Sequence, residues 1–467
     1  MSEQNNVKIE DVSTNSNFGN EIDLFIKHIE AQADIVPLVL GLIGIKLVQE
    51  SKNVDKFIKE NGIIENEEED TKKKKLIIPS DKFKNFINLN EKVETTNLAY
   101  NLLPINFVVS FVSQFDAYIG GIIKSMFLAK PELLNSSEKN ILFTELMKFS
   151  SIEEAQDFIV EKEVESVLRE SHLKQFIWLE NKLGGQTLRK DLPSFSDFIE
   201  ITERRNLFVH CNGIVSRQYL EICKTNKVKE ISEISLGNKL NADPAYFNKC
   251  YKTLFEIGVK LGQVIWRKLL PLENEKADLH LNNVCYNLLL KGHYKLAVNL
   301  LSFATDVLKK HTQEMQCTLI INKALAFYLS NKKDNCKKVL DKHDWSASND
   351  KFKLAIEILL ENFEEAINLM KSIGNKNEHL NREAYKEWPL FTEFRKKEIF
   401  KTAYKEIFEE ELVYVETKPK NLEDILTDLK QFKKEAKETN NKEKEVIETN
   451  QEHEELDDVE DIFITTG

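Results

Sequence analysis

The sequence predicts a nearly all-α protein, and three observations predict it. Glycine (15) and proline (9) are scarce among 467 residues. Apolar residues, 42% of the chain with 28 Phe, recur mostly at helical spacing and seldom in strict alternation. Long amphipathic stretches are separated by short punctuation, such as Asp191-Leu192-Pro193-Ser194. A chain of this length supports two or three domains with sizeable cores.

Residues 1–20 are polar and are expected to be disordered. The opening MSEQNNVKIEDVSTNSNFGN has no basic segment followed by an apolar run, so a signal peptide is not expected. Helical patterns run from Ile22 to about Glu60. The longest apolar stretch, Ile35 to Val48, is interrupted by Pro37 and Lys46 and is too short to span a bilayer. A cytoplasmic protein without a membrane partner is the expectation. The block ENEEEDTKKKK around 65–75 reads as a charged, solvated loop. Residues 1–97 are expected to be an N-terminal helical region that packs onto the next domain or stands as a small unit.

Residues 98–270 change to long amphipathic helices, expected over 105–128, over one or two segments within 153–182, over 194–224 and over 242–269. Asp243-Pro244 suits the start of the last of these, because proline is tolerated in a helix's first turn. Ser194 is placed to cap the helix at 194. Gly184-Gly185 fits a loop and Gly120-Gly121 a close helix crossing. The whole reads as a compact bundle of four or more helices.

Beyond Pro271, to about 415, three segments repeat loosely: LLLKGHYKLAVNLL (288–301), FYLSNKKDNCKKVL (327–340) and ILLENFEEAINLM (358–370). Each places a turn before a small residue, Ala297, Cys336 or Ala366, where two antiparallel helices can approach closely. Their spacings of 39 and 30 residues bracket the period of about 34 in tetratricopeptide repeats, which these segments resemble. A plain array of helical hairpins reads equally well. Residues 416–467 are expected to form an acidic, largely disordered tail, read as solubilising or as a binding segment that mimics nucleic-acid charge.

The net charge of −12 is concentrated in that tail, where residues 421–467 hold 6 Lys+Arg against 15 Asp+Glu. Residues 98–270 hold 22 against 21, so bulk acidity says nothing about the bundle's ligands. Six cysteines lie scattered without a C-x-x-C pair, which fits reduced thiols and neither a disulfide framework nor a zinc site. No phosphate-binding glycine loop or nucleophile-elbow pattern occurs, and no cofactor or metal is expected. His28, His172, His280, His293, His311, His343 and His379 lack partners at metal or triad spacing and are expected at the surface.

One segment stands apart: Glu203-Arg204-Arg205-Asn206-Leu207-Phe208-Val209-His210-Cys211-Asn212-Gly213. Two arginines and an asparagine in mid-helix, one turn before a histidine, are costly to bury without purpose. Asn206 and His210 are four apart and share a helix face, and the long side chain of Arg205 can reach the same cleft. These groups suit attack of a ribose 2′-hydroxyl on its neighbouring phosphate. Arg205 would offer forked donors to the phosphorane. Histidine as a residue type, with an unperturbed pKa of about 6.5, can take or give a proton near neutrality, and His210 would have that role. Asn206 would orient the imidazole or the phosphate.

Arg-Asn-x-x-x-His, preceded by Glu-Arg and followed by Gly213 and Tyr219, resembles the R-x4–6-H motif of the HEPN superfamily. The upstream FVSQFDAYIGGIIKSMF is similar to that family's early helix. The resemblance covers roughly 98–270. It implies a HEPN-type helical bundle whose catalytic residues are Arg205 and His210, supported by Asn206. It also implies a homodimer with two motifs facing across a shared cleft, and metal-independent cleavage of RNA to 2′,3′-cyclic phosphate and 5′-hydroxyl ends. Such proteins serve in toxin–antitoxin, abortive-infection and other anti-phage systems. Arg204 and Glu203 are expected to bind RNA or to pair at the dimer surface. Asp116 is a candidate helper, although a lone helix acid is the simpler reading. The C-terminal hairpins would bind a regulatory partner. Alternatives from other classes are a non-catalytic scaffold or RNA-binding protein, a helix whose Arg205 and His210 are buried structural groups, and a DNA-binding regulator, for which a basic recognition helix is lacking.

Overall fold

The computed structural model describes residues 17–66, 74–136, 140–229, 231–375 and 380–414. The expected acidic tail therefore lies outside the described residues, as does nearly all of the polar N-terminus. Among the described residues the protein is predominantly helical, as predicted.

The elements run in this order: α1 (Phe18–Asn61), a hairpin of β1 (Ile63–Asn66) and β2 (Lys74–Ile77), α2 (Ser80–Ala129), the single turn α3 (Phe143–Leu146), α4 (Ile152–Leu168), α5 (His172–Lys182), α6 (Phe195–His210), α7 (Arg217–Thr225) and α8 (Pro244–Leu269). Next come α9 (Asn274–Leu290), α10 (Tyr294–Ser302), α11 (Gln313–Leu329), α12 (Lys333–Leu340), α13 (Asp350–Leu359), α14 (Phe363–Ile373), α15 (Arg382–Glu387) and α16 (Glu398–Phe408). The flanks of the charged block at 65–75, expected to be loop, are paired as an antiparallel ladder with Ile63 opposite Ile77 and Asn66 opposite Lys74. The β-branched and aliphatic residues around the block favour a strand once the chain must reverse between two long helices.

The first bundle is built on α1, α2, α6 and α8. Position 97 falls inside α2, which runs unbroken for 50 residues, so the expected boundary between residues 97 and 98 does not coincide with the end of an element. The first third of α1 belongs to the core: Phe18, Ile22, Phe25 and Ile29 are buried. Two glycines of α8 permit this contact. A Cβ on Gly258 would lie 2.3 Å from the Phe25 ring, and one on Gly262 would lie 2.6 Å from Ile22. Gly120 and Gly121 mark a close crossing as expected, with α4 packed over the first and Glu21 of α1 over the second. Asp243 caps α8 by accepting a hydrogen bond from the Tyr246 amide at 2.6 Å, with Pro244 in the first turn.

Past Val36, α1 leaves the core. No residue of α1 after Val36, and none of α2 before Thr96, is fully buried. The two segments pack on each other as an antiparallel arm, with Phe57 stacked on Phe86 and Gly44 facing Tyr100. α1 and α2 are each long and apolar enough, by length and composition, to cross a membrane.

The C-terminal region forms three helical hairpins, α9–α10, α11–α12 and α13–α14. Their turns are equivalent in detail. Gly292, Asn331 and Glu361 each adopt positive φ, and the following amide reaches back five residues, to Leu288, Phe327 and Glu357 respectively. The small residues Ala297, Cys336 and Ala366 stand five positions beyond these turn residues (292 to 297, 331 to 336, 361 to 366) and are all buried. A repeated helical C-cap thus underlies the repeat seen in sequence. This region is joined to α8 through buried polar groups. Asp278 of α9 takes Arg267 at 2.6 Å and His311 at 2.9 Å, and Glu256 accepts from Ser194, Lys260 and Asn299.

Candidate functional site

α6 carries the motif and lies deep in the bundle. Phe195, Phe198, Ile199, Glu200, Ile201, Thr202, Glu203 and Leu207 are buried. Ser194 occupies the N-cap position, but its hydroxyl does not cap the helix; it donates to Glu256 at 3.0 Å. The helix expected over 194–224 is two helices. α6 ends at His210, because the amides of Cys211 and Gly213 both return to the Leu207 carbonyl, at 2.8 and 3.0 Å. Asn212 and Gly213 take positive φ of 49° and 79°. This is the turn that favours glycine after a helix, and here a side chain at Gly213 would also meet the Leu240 carbonyl oxygen at 2.7 Å. Gly213 and Tyr219 of the motif are thus structural: the first ends the helix, and the second, fully buried on α7, donates to Glu200 at 2.8 Å.

The polar residues of α6 divide into three groups. The first is centred on Glu200, 2% exposed, which accepts from Arg204 Nε at 2.6 Å, Tyr219 at 2.8 Å and Tyr246 at 3.1 Å. The Arg204 guanidinium also lies over the Tyr246 ring at 3.9 Å. Burial opposes its charge, but Tyr246, Glu200 and Tyr219 outweigh that and hold its pKa above the ordinary guanidinium value. Against the expectation that Arg204 touches RNA or pairs at a dimer surface, its guanidinium is engaged inside its own protomer.

The second group is the candidate site's foundation. Arg205 donates through Nη2 to Asp116 Oδ2 of α2 at 2.9 Å. His172, the first residue of α5, places Nε2 2.9 Å from the other oxygen of Asp116, near enough to form an ion pair when protonated but off the line of a hydrogen bond. Asp116 is therefore no lone helix acid. His172 is no surface histidine either: it is 7% exposed, with the rings of Phe115 and Phe198 beside it. Its position is legible in the sequence, since His172, Gln175, Phe176 and Leu179 recur at helical spacing and are all buried. Of the other histidines expected at the surface, His28 is exposed, His280, His293, His311 and His343 are half-buried, and His379 lies outside the described residues.

Glu203 completes this group from within. It is buried, and burial pushes its carboxyl above the ordinary 4.5, against a hydrogen bond from Asn206 and the charges of His172 and Arg205. It faces the interior and is not at a surface where RNA or a partner would pair with it.

The third group is the solvent edge. His210, in the last turn of α6, is exposed, and its ring makes no hydrogen bond or ion pair with the described residues. Beside it are exposed Val209 and Ile214, at 49% and 40%, and the exposed thiol of Cys211. Asn206 and Arg205 are half-buried between this edge and Asp116.

The chain matches no known family model, no curated protein and no solved structure. Arg205 has one terminal nitrogen on Asp116; its Nε is buried without a partner. A half-buried guanidinium of fixed orientation, an amide and a free imidazole thus succeed one another towards the open end of one helix. A cavity of about 1110 Å³ between α8, α10 and the segment 186–194 is lined by other side chains. Among the described residues no three His, Cys, Asp or Glu side chains are grouped to hold a metal ion.

Proposed function

We propose that this protein is an endoribonuclease that cuts RNA by attack of a ribose 2′-hydroxyl on the adjacent phosphate, at a site completed by a second copy of the chain. The observation that carries the reading is the ordering along α6: Arg205 anchored by Asp116, Asn206 one position on, and at the exposed end His210, whose ring has no partner among the described residues. The HEPN-like pattern of the sequence adds to it.

One protomer offers an open edge, and two such edges set face to face would enclose a cleft. Exposed Val209 and Ile214 beside His210 would provide apolar contact there. In the reaction the 2′-oxygen bonds to phosphorus and the bond to the 5′-oxygen breaks. One imidazole accepts the 2′ proton, and the second, from the other copy, gives a proton to the leaving 5′-oxygen. Arg205 stabilises the charge that builds on the phosphorane oxygens, and Asn206 orients the phosphate. The products are a 2′,3′-cyclic phosphate and a 5′-hydroxyl. An activity of this kind suits a toxin or abortive-infection effector of the cytoplasm, with the C-terminal hairpins as the surface for a regulatory partner.

The deciding experiment is cleavage of RNA in EDTA by the natural protein, Arg205→Ala and His210→Ala. Loss in both variants is expected. Activity that EDTA abolishes, or that survives both substitutions, would end the proposal.

A second reading is favoured by one observation: Asp116 already neutralises Arg205. In that reading the bundle is a non-catalytic scaffold and Arg205 a structural ion pair. It predicts a folded protein with no cleavage, and no change of phenotype on replacing His210.

A further inference from the structure

We propose that the cleft between α8, α10 and the segment 186–194 is the docking site of the chain's own acidic segment, residues 456–464. The cleft encloses about 1110 Å³. Its lining on α8 runs from Ala245 to Val264, about 28 Å at 1.5 Å per residue. α10, continued by a π-helical turn over Phe303–Val307, runs alongside in the same direction. Glu256 accepts from Asn299 at 2.8 Å, and one turn further along both helices the Lys260 ammonium lies 5.7 Å from the centre of the Phe303 ring. By the same stepping Lys252 falls level with Lys295, and Val264 with Val307.

Six lysines and four carboxylates line the cleft. Three of the carboxylates are already paired: Asp197 with Lys249 at 2.9 Å, Glu256 with Lys260 at 2.6 Å, and Asp306 with Lys323, outside the cleft, at 2.9 Å. The fourth, Asp191, adjoins Lys190 in the chain. Lys229, Lys252 and Lys295 are left over, and none of them makes an ion pair among the described residues. Past Lys260 the two helices offer Leu261, half-buried Val264 and Val307, which is 64% exposed. On these helices surplus positive charge thus lies at one end of the cleft and open apolar surface at the other.

The sequence supplies a segment with the complementary order. Residues 452–461 hold seven acids in ten positions, and Ile462-Phe463-Ile464 follow at once. Extended chain at about 3.3 Å per residue fills a cleft of this length with about nine residues. Leu456 to Ile464 is nine, with Asp457, Asp458, Glu460 and Asp461 ahead of the three apolar side chains. The acids would meet Lys252 and Lys295, and the apolar triplet would cover Val264 and Val307. Tyr414, the last described residue, is 42 positions before Leu456 (414 to 456), so reach does not limit the contact. Attachment to the same chain also raises the segment's local concentration above that of any free ligand of equal chemistry. A phosphate anion would meet the lysines and leave the apolar end open. An RNA strand carries charge along its whole length, which the apolar end does not match. This inference does not rest on the ribonuclease reading.

The test is amide hydrogen exchange of the full chain, read by mass spectrometry over residues 456–464, with and without the pair Lys252→Glu and Lys295→Glu. Relative to the same segment as a free synthetic peptide, exchange in the natural protein is expected to be slowed at least about tenfold, as for a segment bound nine-tenths of the time. The slowing is expected to vanish in the variant with its far-ultraviolet circular dichroism intact, and to fall at about 1 M NaCl, where the screening length is about 3 Å. Should the glutamates unfold the protein, the neutral pair Lys252→Gln and Lys295→Gln serves in their place. Zero-length carbodiimide coupling gives the location: the acids of 457–461 should join Lys229, Lys252 or Lys295 within one chain, as judged in a mixture of ¹⁵N-labelled and unlabelled protein. Exchange at the free-peptide rate, protection that the folded variants keep, or coupling only between chains would overturn the proposal. An unprotected segment, with a fluorescein-labelled decauridylate bound by the natural protein and lost in the variant, would assign the cleft to nucleic acid and equally overturn it. Because no arm measures cleavage, failure here is separate from failure of the nuclease.

Discussion

Asp116 and Arg205, 89 residues apart in sequence, are joined by a 2.9 Å charge-assisted hydrogen bond that ties α2 to α6. The carboxylate holds the guanidinium half-buried, and His172 lies against its second oxygen. Asp116 is thus the positioning residue of the proposed site. Asp116→Asn should lower stability by about 1–2 kcal/mol, the scale of a hydrogen bond to a charged group, reduced because both side chains remain partly exposed. If Arg205 acts on RNA, the same variant should lower the cleavage rate at saturating RNA more than it weakens RNA binding. A purely structural pair would change chemical-denaturation midpoints only.

His210 is exposed and makes no hydrogen bond or ion pair with the described residues, so His210→Ala should leave stability within about 0.5 kcal/mol of the natural protein. Its loss should cost about 10²–10⁴-fold in cleavage, the range for a general acid or base. Single-turnover rates with excess enzyme check this. A fall of less than threefold would place proton transfer elsewhere.

Arg204 differs from its neighbour. Arg204→Ala would leave Glu200, 2% exposed, with only the hydroxyls of Tyr219 and Tyr246 as donors. The expected loss is about 3 kcal/mol or more, because an unmatched charge stays buried. The urea midpoint reports it, and an unchanged midpoint would mean that the network relaxes.

The Glu203 carboxyl is raised above 4.5 by burial, with Asn206, His172 and Arg205 opposing. The folded state therefore holds this proton more tightly than the unfolded state does, and the group disfavours folding increasingly as pH rises. Glu203→Gln keeps an acceptor for Asn206 and removes the charge. Its stability relative to the natural protein should be flat well below pH 4.5, improve as pH rises through that value, and level off above the raised native pKa. Thermal melts between pH 3.5 and 8 test the sign; an advantage that shrinks with pH would refute it.

Gly213→Ala should destabilise by about 1–3 kcal/mol, since an L residue is strained at its φ of 79° and the added carbon would press on the Leu240 carbonyl. As the turn sets where His210 ends the helix, cleavage should fall as well. Melting temperature and rate together check this.

Much of this architecture is open to sequence reading. Asp243-Pro244 announces α8, and the turns before Ala297, Cys336 and Ala366 announce the hairpins, because capping and helical spacing are local physics. The end of α6 is equally local, yet Asn212-Gly213 reads as a continuation of the helix where it is the stop. His172 has no partners nearby in sequence and so reads as a surface residue, although its own helix places it on the buried side.

By itself the sequence determined where most of the helices lie, the Asp243 cap of α8 and the order of Arg205, Asn206 and His210 along α6, since these depend on residues a turn or two apart. Tertiary structure alone decided which polar groups face inward. The Arg204–Glu200 pair, with Tyr219 and Tyr246, and the partnership of Arg205 with Asp116 and His172 required α2, α5, α7 and α8 to close around α6. Periodicity says which residues share a face but not what that face meets. The same gap explains the arm: the sequence shows helical patterns from Ile22 to about Glu60, and only the packed chain shows that no residue of α1 beyond Val36 is fully buried.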